Sequence, residues 1–153
     1  MTKKDNYKPN INRCVSQPFI VAGCLIKEKD KFLFVEENGK YNIPQGWVEM
    51  GESLEKAAKR ETEEETGFEV KINSFHGVYT IIKQRDNIIL HKIKVIYNAS
   101  LTGRKKKKNE KLPIRWMSIN DIKNNINIMR DKDVLNIVKN KEGYKKIKEL
   151  KKI

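Results

Sequence analysis

The segment Leu54–Thr66 constrains the fold most, because both of its ends carry signals that delimit a helix. Ser53 belongs to the residue types that cap helix N-termini, and Gly67 accepts the left-handed backbone that follows a helix C-terminus. The apolar stripe of this helix consists of Leu54, Ala57 and Ala58. At ~100° per residue, the stripe continues at positions 61, 64 and 65. All three positions hold glutamate, so a core-facing stripe is predicted to turn into carboxylates.

These three carboxylates are predicted to bind a cation. Glu61, Glu64 and Glu65 are three and four residues apart, so they repel one another on one helix face. Carboxylates on a stripe that should be buried are costly unless they are paired or bound to a cation. No His or Cys stands near them, and hard oxygen ligands favour Mg²⁺ or Mn²⁺ over zinc. Lys56, Lys59 and Glu63 are predicted on the opposite side of the helix.

The rest of the chain reads as one α/β domain. Strands are predicted at residues 19–26, 31–35, 68–72, 78–83, 88–98 and 115–118, and residues 45–51 are predicted as a loop between glycines. Helical segments are predicted at 119–125 and 131–140. This order favours a mixed sheet packed between helices. The 153 residues suit one domain. We assign an N-terminal arm to 1–16, the domain to 17–140 and a lysine-rich tail to 141–153.

Composition indicates a cytoplasmic protein. The longest uncharged apolar run, Pro18–Ile26, is too short to cross a bilayer, so no membrane partner is expected. Met1–Asp5 leads into no secretory signal. Cys14 and Cys24 offer neither a disulfide framework nor zinc-ligand spacing, which indicates a reducing compartment. The oligomeric state is left open by the sequence.

The positive charge lies mainly in the C-terminal third. Of a net charge of +13, residues 102–153 hold 17 Lys or Arg against 6 Asp or Glu. A run from Lys105 to Lys108 could bind phosphates or RNA. Lysine bias in an AT-rich genome accounts for the same excess, and arginine, the better bidentate phosphate ligand, is scarce. RNA is therefore a second expected partner beside a nucleotide polyphosphate.

The glutamate helix and the loop before it resemble the Nudix box, GX5EX7REUXEEXGU, where U is aliphatic. The matching positions are Gly46, Glu52, Arg60, Glu61, Glu64, Glu65 and Gly67, followed by the apolar Phe68. Thr62 departs from the aliphatic position, which affects packing behind the helix rather than metal ligation. The resemblance extends loosely over residues 17–138. It implies an α/β/α sandwich with a mixed sheet and a MutT-like nucleotide pyrophosphohydrolase.

The resemblance also implies a role for each matched residue. Glu61, Glu64 and Glu65 correspond to carboxylate ligands of Mg²⁺ or Mn²⁺, and the backbone carbonyl of Gly46 is a further ligand. Glu52 corresponds to a supporting acid, and Arg60 to an arginine that orients a glutamate. Candidates for the general base are Glu61, Glu64 and Glu110, the last because some members place the base in the loop before the tryptophan strand. No substrate-binding residue is assigned.

Three functions remain open at this point. The first is hydrolysis of a phosphoanhydride bond in a nucleoside diphosphate linked to another group, foremost a nucleoside di- or triphosphate. The second is hydrolysis of dinucleoside polyphosphates or RNA 5′ ends, which resembles enzymes with the Pro44–Gly46 opening. The third is a non-catalytic module that binds nucleotide or RNA. Such modules usually lose a glutamate of the box, whereas this chain keeps all of them.

Overall fold

The computed structural model describes residues 17–86, 88–106 and 111–139. The strands are β1 (Phe19–Glu28), β2 (Lys31–Glu37), β3 (Lys40–Asn42), β4 (Gln45–Trp47), β5 (Phe68–Arg85), β6 (Ile88–Lys105) and β7 (Ile114–Met117). The helices are α1 (Leu54–Thr66), α2 (Ile119–Asn124) and α3 (Val134–Val138), with a short 3₁₀ turn at Ile126–Ile128. The proposed arm and tail lie outside the described residues, as does Cys14.

Strand β1 organises a mixed sheet. It pairs in parallel with β6 and antiparallel with β4, and β6 pairs antiparallel with β5. At its far end β1 turns into β2, which pairs with both β3 and β7. Both parallel and antiparallel pairs are therefore present, as the sequence predicted.

Alternation along β1 produces two cores, one on each face of the sheet. Ala22, Cys24 and Ile26 are buried against α1. Leu25 is buried on the other face, in the cluster that contains Ile122 of α2 and residues of α3. The two helical layers enclose the sheet, which confirms the predicted α/β/α sandwich. Within the described residues no helix is long and apolar enough to cross a membrane.

Helix α1 has the predicted bounds, and its caps explain them. The Ser53 hydroxyl accepts a hydrogen bond from the Lys56 N–H at 3.2 Å. Gly67 adopts φ 74°, and its N–H donates to the Glu63 carbonyl at 2.9 Å. Only glycine takes this left-handed conformation without strain. Local signals were sufficient to define this helix at both ends.

Three predicted elements need correction. Gln45–Trp47 is a strand instead of part of a loop, because it pairs with Val21–Gly23 of β1. The segments predicted at 68–72 and 78–83 form one strand, β5, that is interrupted by register shifts and paired with β6 throughout. The last predicted helix shrinks to Val134–Val138. In each case pairing or packing with a distant segment outweighed the local pattern.

Candidate active site

The buried face of α1 differs from the predicted stripe. Leu54 is exposed, whereas Glu63, predicted on the opposite side, is buried. The Glu63 carboxylate accepts hydrogen bonds from the Val70 N–H at 3.3 Å and from the Lys106 ammonium group at 2.9 Å. Lys59 adds an ion pair at 3.6 Å. These partners allow a carboxylate to be buried against β5, so Glu63 serves as an anchor of the helix.

Arg60 lies at the centre of the predicted glutamate site. Its Nε and Nη2 atoms donate to the two carboxylate oxygens of Glu52 at 2.7 and 2.9 Å. Its Nη1 atom donates to Glu61 at 2.8 Å and to Glu64 at 3.2 Å. Nη2 also donates to the Trp47 carbonyl at 3.1 Å. One guanidinium thus links the helix to β4 and to the loop that carries Glu52.

Only glycine fits at position 46, because the carboxylate of Glu61 occupies the space where a side chain would begin. A Cβ atom at position 46 would overlap the carboxylate of Glu61. The neighbouring residue in β4, Gln45, donates its N–H to Glu65 at 3.2 Å. Two of the three predicted ligands are therefore in contact with the β4 backbone, which brings the predicted carbonyl of Gly46 into the same region.

The titration of the carboxylates follows from their surroundings. Hydrogen bonds from the Arg60 side chain and from the Glu49 N–H lower the pKa of Glu52 to about 2. Burial raises the pKa of Glu65 to about 8, although the N–H of Gln45 opposes this change. Burial also raises the pKa of Glu61, against the effect of Arg60. Glu52 is therefore ionised at neutral pH, whereas burial favours the protonated form of Glu65.

The donor set fits a divalent cation in charge and chemistry. Four carboxylates share the single positive charge of Arg60, those of Glu49, Glu52, Glu61 and Glu64, and Glu65 adds a fifth carboxyl group next to them. Within the described part of the chain, however, no three His, Cys, Asp or Glu side chains are grouped so as to hold a metal ion. Glu61 and Glu64 point to Arg60 instead, so they would have to turn away from the guanidinium to act as ligands.

Glu110, the remaining candidate base, lies outside the described residues. Its described neighbours on either side are tied to the C-terminal end of α1. The Lys106 N–H donates to the Gly67 carbonyl at 2.9 Å, and the Leu112 N–H donates to the Glu65 carbonyl at 2.8 Å. Lys106, part of the proposed phosphate- or RNA-binding run, also pairs with Glu63.

Two features near the site were missed by sequence reasoning. The Trp47 side chain is 64% exposed and stacks on Phe19, with ring centroids 4.8 Å apart. Arg130 lines a small cavity together with Asn42, Gln45 and Glu65. Trp47 follows Gly46 directly, so its position in the box was a usable signal. Arg130 is far from the box in sequence, and no local pattern indicated it.

Comparison with known proteins assigns the family. The NUDIX domain model matches residues 17–136. The Nudix hydrolase YvcI of Bacillus subtilis (strain 168) is 33% identical over 108 residues, which cover 68% of each chain. The chain therefore belongs to the Nudix hydrolase family, enzymes that act on nucleoside diphosphate derivatives. Nudix hydrolases generally use divalent metal ions.

Two further matches support this assignment. An ADP-ribose pyrophosphatase of Methanocaldococcus jannaschii is 34% identical over 73 residues, or 44% of this chain and 43% of that protein. The solved structure of a NUDIX hydrolase from Nitrosomonas europaea superposes with a TM-score of 0.70 and 25% identity, covering 81% of this chain and 88% of that one. The chain thus spans less than half of the pyrophosphatase.

Proposed function

We propose that this protein hydrolyses a phosphoanhydride bond in a nucleoside di- or triphosphate, with Mg²⁺ or Mn²⁺ bound by Glu61, Glu64, Glu65 and the Gly46 carbonyl. The observation that carries the proposal is the excess of carboxylates around Arg60. Such an excess repels a polyphosphate unless cations are present. When bound, a divalent ion neutralises phosphate oxygens and acidifies a coordinated water.

The residues of the chain have separate tasks in this reaction. Arg60, fixed by Glu52, keeps Glu61 and Glu64 next to β4, and the two carboxylates turn from the guanidinium when they bind the cation. A carboxylate, Glu61, Glu64 or Glu110, takes a proton from the attacking water. The water oxygen bonds to one phosphorus as the anhydride P–O bond breaks, and the departing phosphate keeps that electron pair. The products are two phosphate compounds, and no co-reactant other than water is consumed.

The aromatic pair next to the site supports a nucleotide as the substrate. The stacked rings of Trp47 and Phe19 are nearly parallel, with 10° between their planes, and Trp47 remains open to solvent. Nucleobases stack on such exposed rings with little dependence on base identity. The proposed substrates are therefore nucleotides of several bases, with dinucleoside polyphosphates and RNA 5′ ends as the second candidates because of the Pro44–Gly46 opening.

A phosphate-release screen tests the proposal. The purified protein is incubated with Mg²⁺ and with nucleoside di- and triphosphates, nucleotide sugars, dinucleoside polyphosphates and 5′-triphosphate RNA. We expect Mg²⁺-dependent release, fastest with a nucleoside di- or triphosphate. Release that is fastest with capped or dinucleotide substrates would favour the second candidate. No release from any class, combined with tight RNA binding by the folded protein, would contradict hydrolysis and favour a non-catalytic module.

A further inference from the structure

A second cluster of charged side chains lies on the sheet face opposite α1. Along β6, Val95 and Tyr97 pack on the α1 side, and Lys92 and Lys94 alternate with them onto the other face. The carboxylate of Asp131 accepts hydrogen bonds from Lys94 at 2.6 Å and from Lys92 at 3.1 Å. Lys83 of β5 completes the lysine–Asp131 cluster at 3.1 Å.

The lysine–Asp131 cluster contains three lysines and one carboxylate, and most of it is buried. The side chains of Lys94 and Asp131 are 1% and 0% exposed, and that of Lys92 is 9% exposed. Within residues 17–86, 88–106 and 111–139, Asp131 is the only acidic group at ion-pair distance from these three lysines. Buried charges are costly unless they are compensated. Two of the three lysines therefore exceed what is needed to neutralise one carboxylate.

Burial and ion pairing act in opposite directions on the pKa values of these groups. Burial lowers the pKa of Lys94 to about 8, although Asp131 opposes the change. Burial lowers the pKa of Lys92 as well. Burial by itself raises the pKa of Asp131, but Lys94 and the other lysines hold it well below its usual range. Asp131 is therefore ionised at neutral pH, and its single negative charge does not balance three lysines.

The cluster adjoins the candidate active site. Lys94 donates to the side-chain oxygen of Asn42 at 3.4 Å. Asn42 in turn lines the small cavity that also contains Arg130 and Glu65. The carbonyl of Arg130 accepts a hydrogen bond from Lys83 at 2.7 Å. Through Asn42 the lysines therefore lie close to this cavity, and Lys83, whose side chain is 43% exposed, opens the cluster to solvent.

We infer that Lys83, Lys92 and Lys94 form an anion subsite that binds a phosphate group of the substrate beyond the anhydride bond that is cleaved. The identification of the anion as substrate phosphate rests on the proposed function. The subsite selects substrates with a chain of at least three phosphates, since a diphosphate held at the glutamates leaves no further phosphate for the lysines. These lysines are positioning residues and take no part in the bond-breaking step.

Binding of inorganic tripolyphosphate in the presence of EDTA tests the subsite without the metal. Under these conditions the glutamates repel the anion, so calorimetry reports the lysines. We expect Lys92→Met to weaken binding by at least tenfold, while Lys71→Met, which removes an equal charge from an exposed part of β5, changes it less than twofold. Equal weakening by both variants, or by neither, would overturn the inference.

A second variant covers the case in which Lys92→Met folds poorly. Asp131→Asn keeps the three ammonium groups and removes their counter-ion. We expect tripolyphosphate to raise the melting temperature of Asp131→Asn more than that of the wild type. If the cluster only stabilises the fold, Asp131→Asn should melt at a lower temperature and tripolyphosphate should not restore it. This result would contradict the subsite.

Turnover separates this inference from the proposed function. With Mg²⁺, Lys92→Met should raise KM for a nucleoside triphosphate at least tenfold with kcat nearly unchanged, and should affect a nucleoside diphosphate less than threefold. Equal effects on both substrates would refute the selection of longer phosphate chains. If the wild type binds tripolyphosphate in EDTA but hydrolyses nothing, the proposed function fails and the anion subsite stands.

Discussion

Arg60 and Asp131 are each surrounded by several side chains of the opposite charge. Arg60 pairs with Glu49, Glu52, Glu61 and Glu64, whereas Asp131 pairs with three lysines of β5 and β6. The two clusters lie on opposite faces of the sheet and differ in exposure. The Arg60 side chain is 24% exposed, and that of Asp131 is fully buried. The same arrangement of charges is thus solvated in one place and enclosed in the other.

This difference in exposure predicts how each cluster responds to the loss of one charged side chain. A partly solvated group can exchange a lost ion pair for water, so such pairs contribute little to stability. A buried charge without its partner has no such substitute, and the folded state becomes less stable. We therefore expect the glutamate cluster to matter mainly for turnover and the lysine–Asp131 cluster to matter for stability as well as binding.

The largest effect is expected from Asp131→Asn. Removing this carboxylate leaves three lysines without their counter-ion, so the free energy of unfolding should fall by about 3–5 kcal/mol. Urea denaturation at pH 7 measures it. The matched control is Glu37→Gln, which breaks the exposed pair with Arg130 and should cost less than about 0.5 kcal/mol. Similar losses for both variants would show that burial does not distinguish these pairs.

The glutamate cluster is tested by Glu64→Gln. We expect Mg²⁺-dependent turnover to fall at least ~100-fold, because the variant loses a proposed ligand or base. Stability without metal should hold or rise slightly, since repulsion between Glu64 and Glu61 is relieved while glutamine still accepts a bond from Arg60. The control is Glu55→Gln, an exposed residue of the same helix.

Melting curves with and without Mg²⁺ accompany the kinetics of Glu64→Gln. A ligand that binds only the folded state raises its stability. Mg²⁺ should therefore stabilise the wild type and Glu55→Gln more than it stabilises Glu64→Gln, which lacks one proposed metal ligand. A Glu64→Gln variant that melts far lower without metal yet keeps its activity would show that Glu64 is structural. The predicted contrast with Asp131 would then be wrong.

Trp47 lies between the two clusters and provides a third test. It pairs with Val21 of β1, which pairs in turn with Lys94 of β6. Trp47→Ala should raise KM for nucleotides roughly tenfold, as expected for the loss of base stacking of ~1–3 kcal/mol. Met50→Ala, which removes a fully exposed apolar side chain nearby, should leave KM unchanged. If KM is unchanged in both variants, the nucleobase binds elsewhere.

The smallest effect concerns pH and Lys94. Its pKa is about 8 in the folded protein and ~10.4 when unfolded, so between these values the unfolded chain binds more protons. The free energy of unfolding must then rise with pH in this window. The groups that face Lys94 are Lys83, Lys92, Asp131 and Asn42, with Arg130 next to them.

Comparison of the wild type with Lys94→Met isolates this contribution. From pH 7.5 to 9.5 the wild type should gain about 1–2 kcal/mol relative to the variant, given 1.36 kcal/mol per pKa unit. Lys71→Met serves as the control and should follow the wild type. Parallel curves for the wild type and Lys94→Met would mean that Lys94 stays protonated at neutral and alkaline pH, and that its burial is fully compensated.

The glutamate site was predictable because its residues are close in sequence. Gly46, Glu52 and the glutamates of α1 fall within the continuous segment 46–65, and in α1 helical periodicity and cap residues determine which side chains meet. The bounds of α1 followed from Ser53 and Gly67 for the same reason. The sandwich fold was also predicted from the order of strands and helices. Periodicity failed for Glu63, because burial of this residue depends on Lys106 and on β5.

Only the tertiary structure decided the lysine–Asp131 cluster. The pairing of β5 with β6 sets Ile81 opposite Lys92 and Tyr79 opposite Lys94, and this register brings Lys83 to the same face. Asp131 reaches the cluster through a segment that precedes α3. A shift of one residue in the register would turn both lysines of β6 to the α1 side. Local sequence determines periodicity and caps, whereas register and the contacts between distant segments depend on packing of the whole chain.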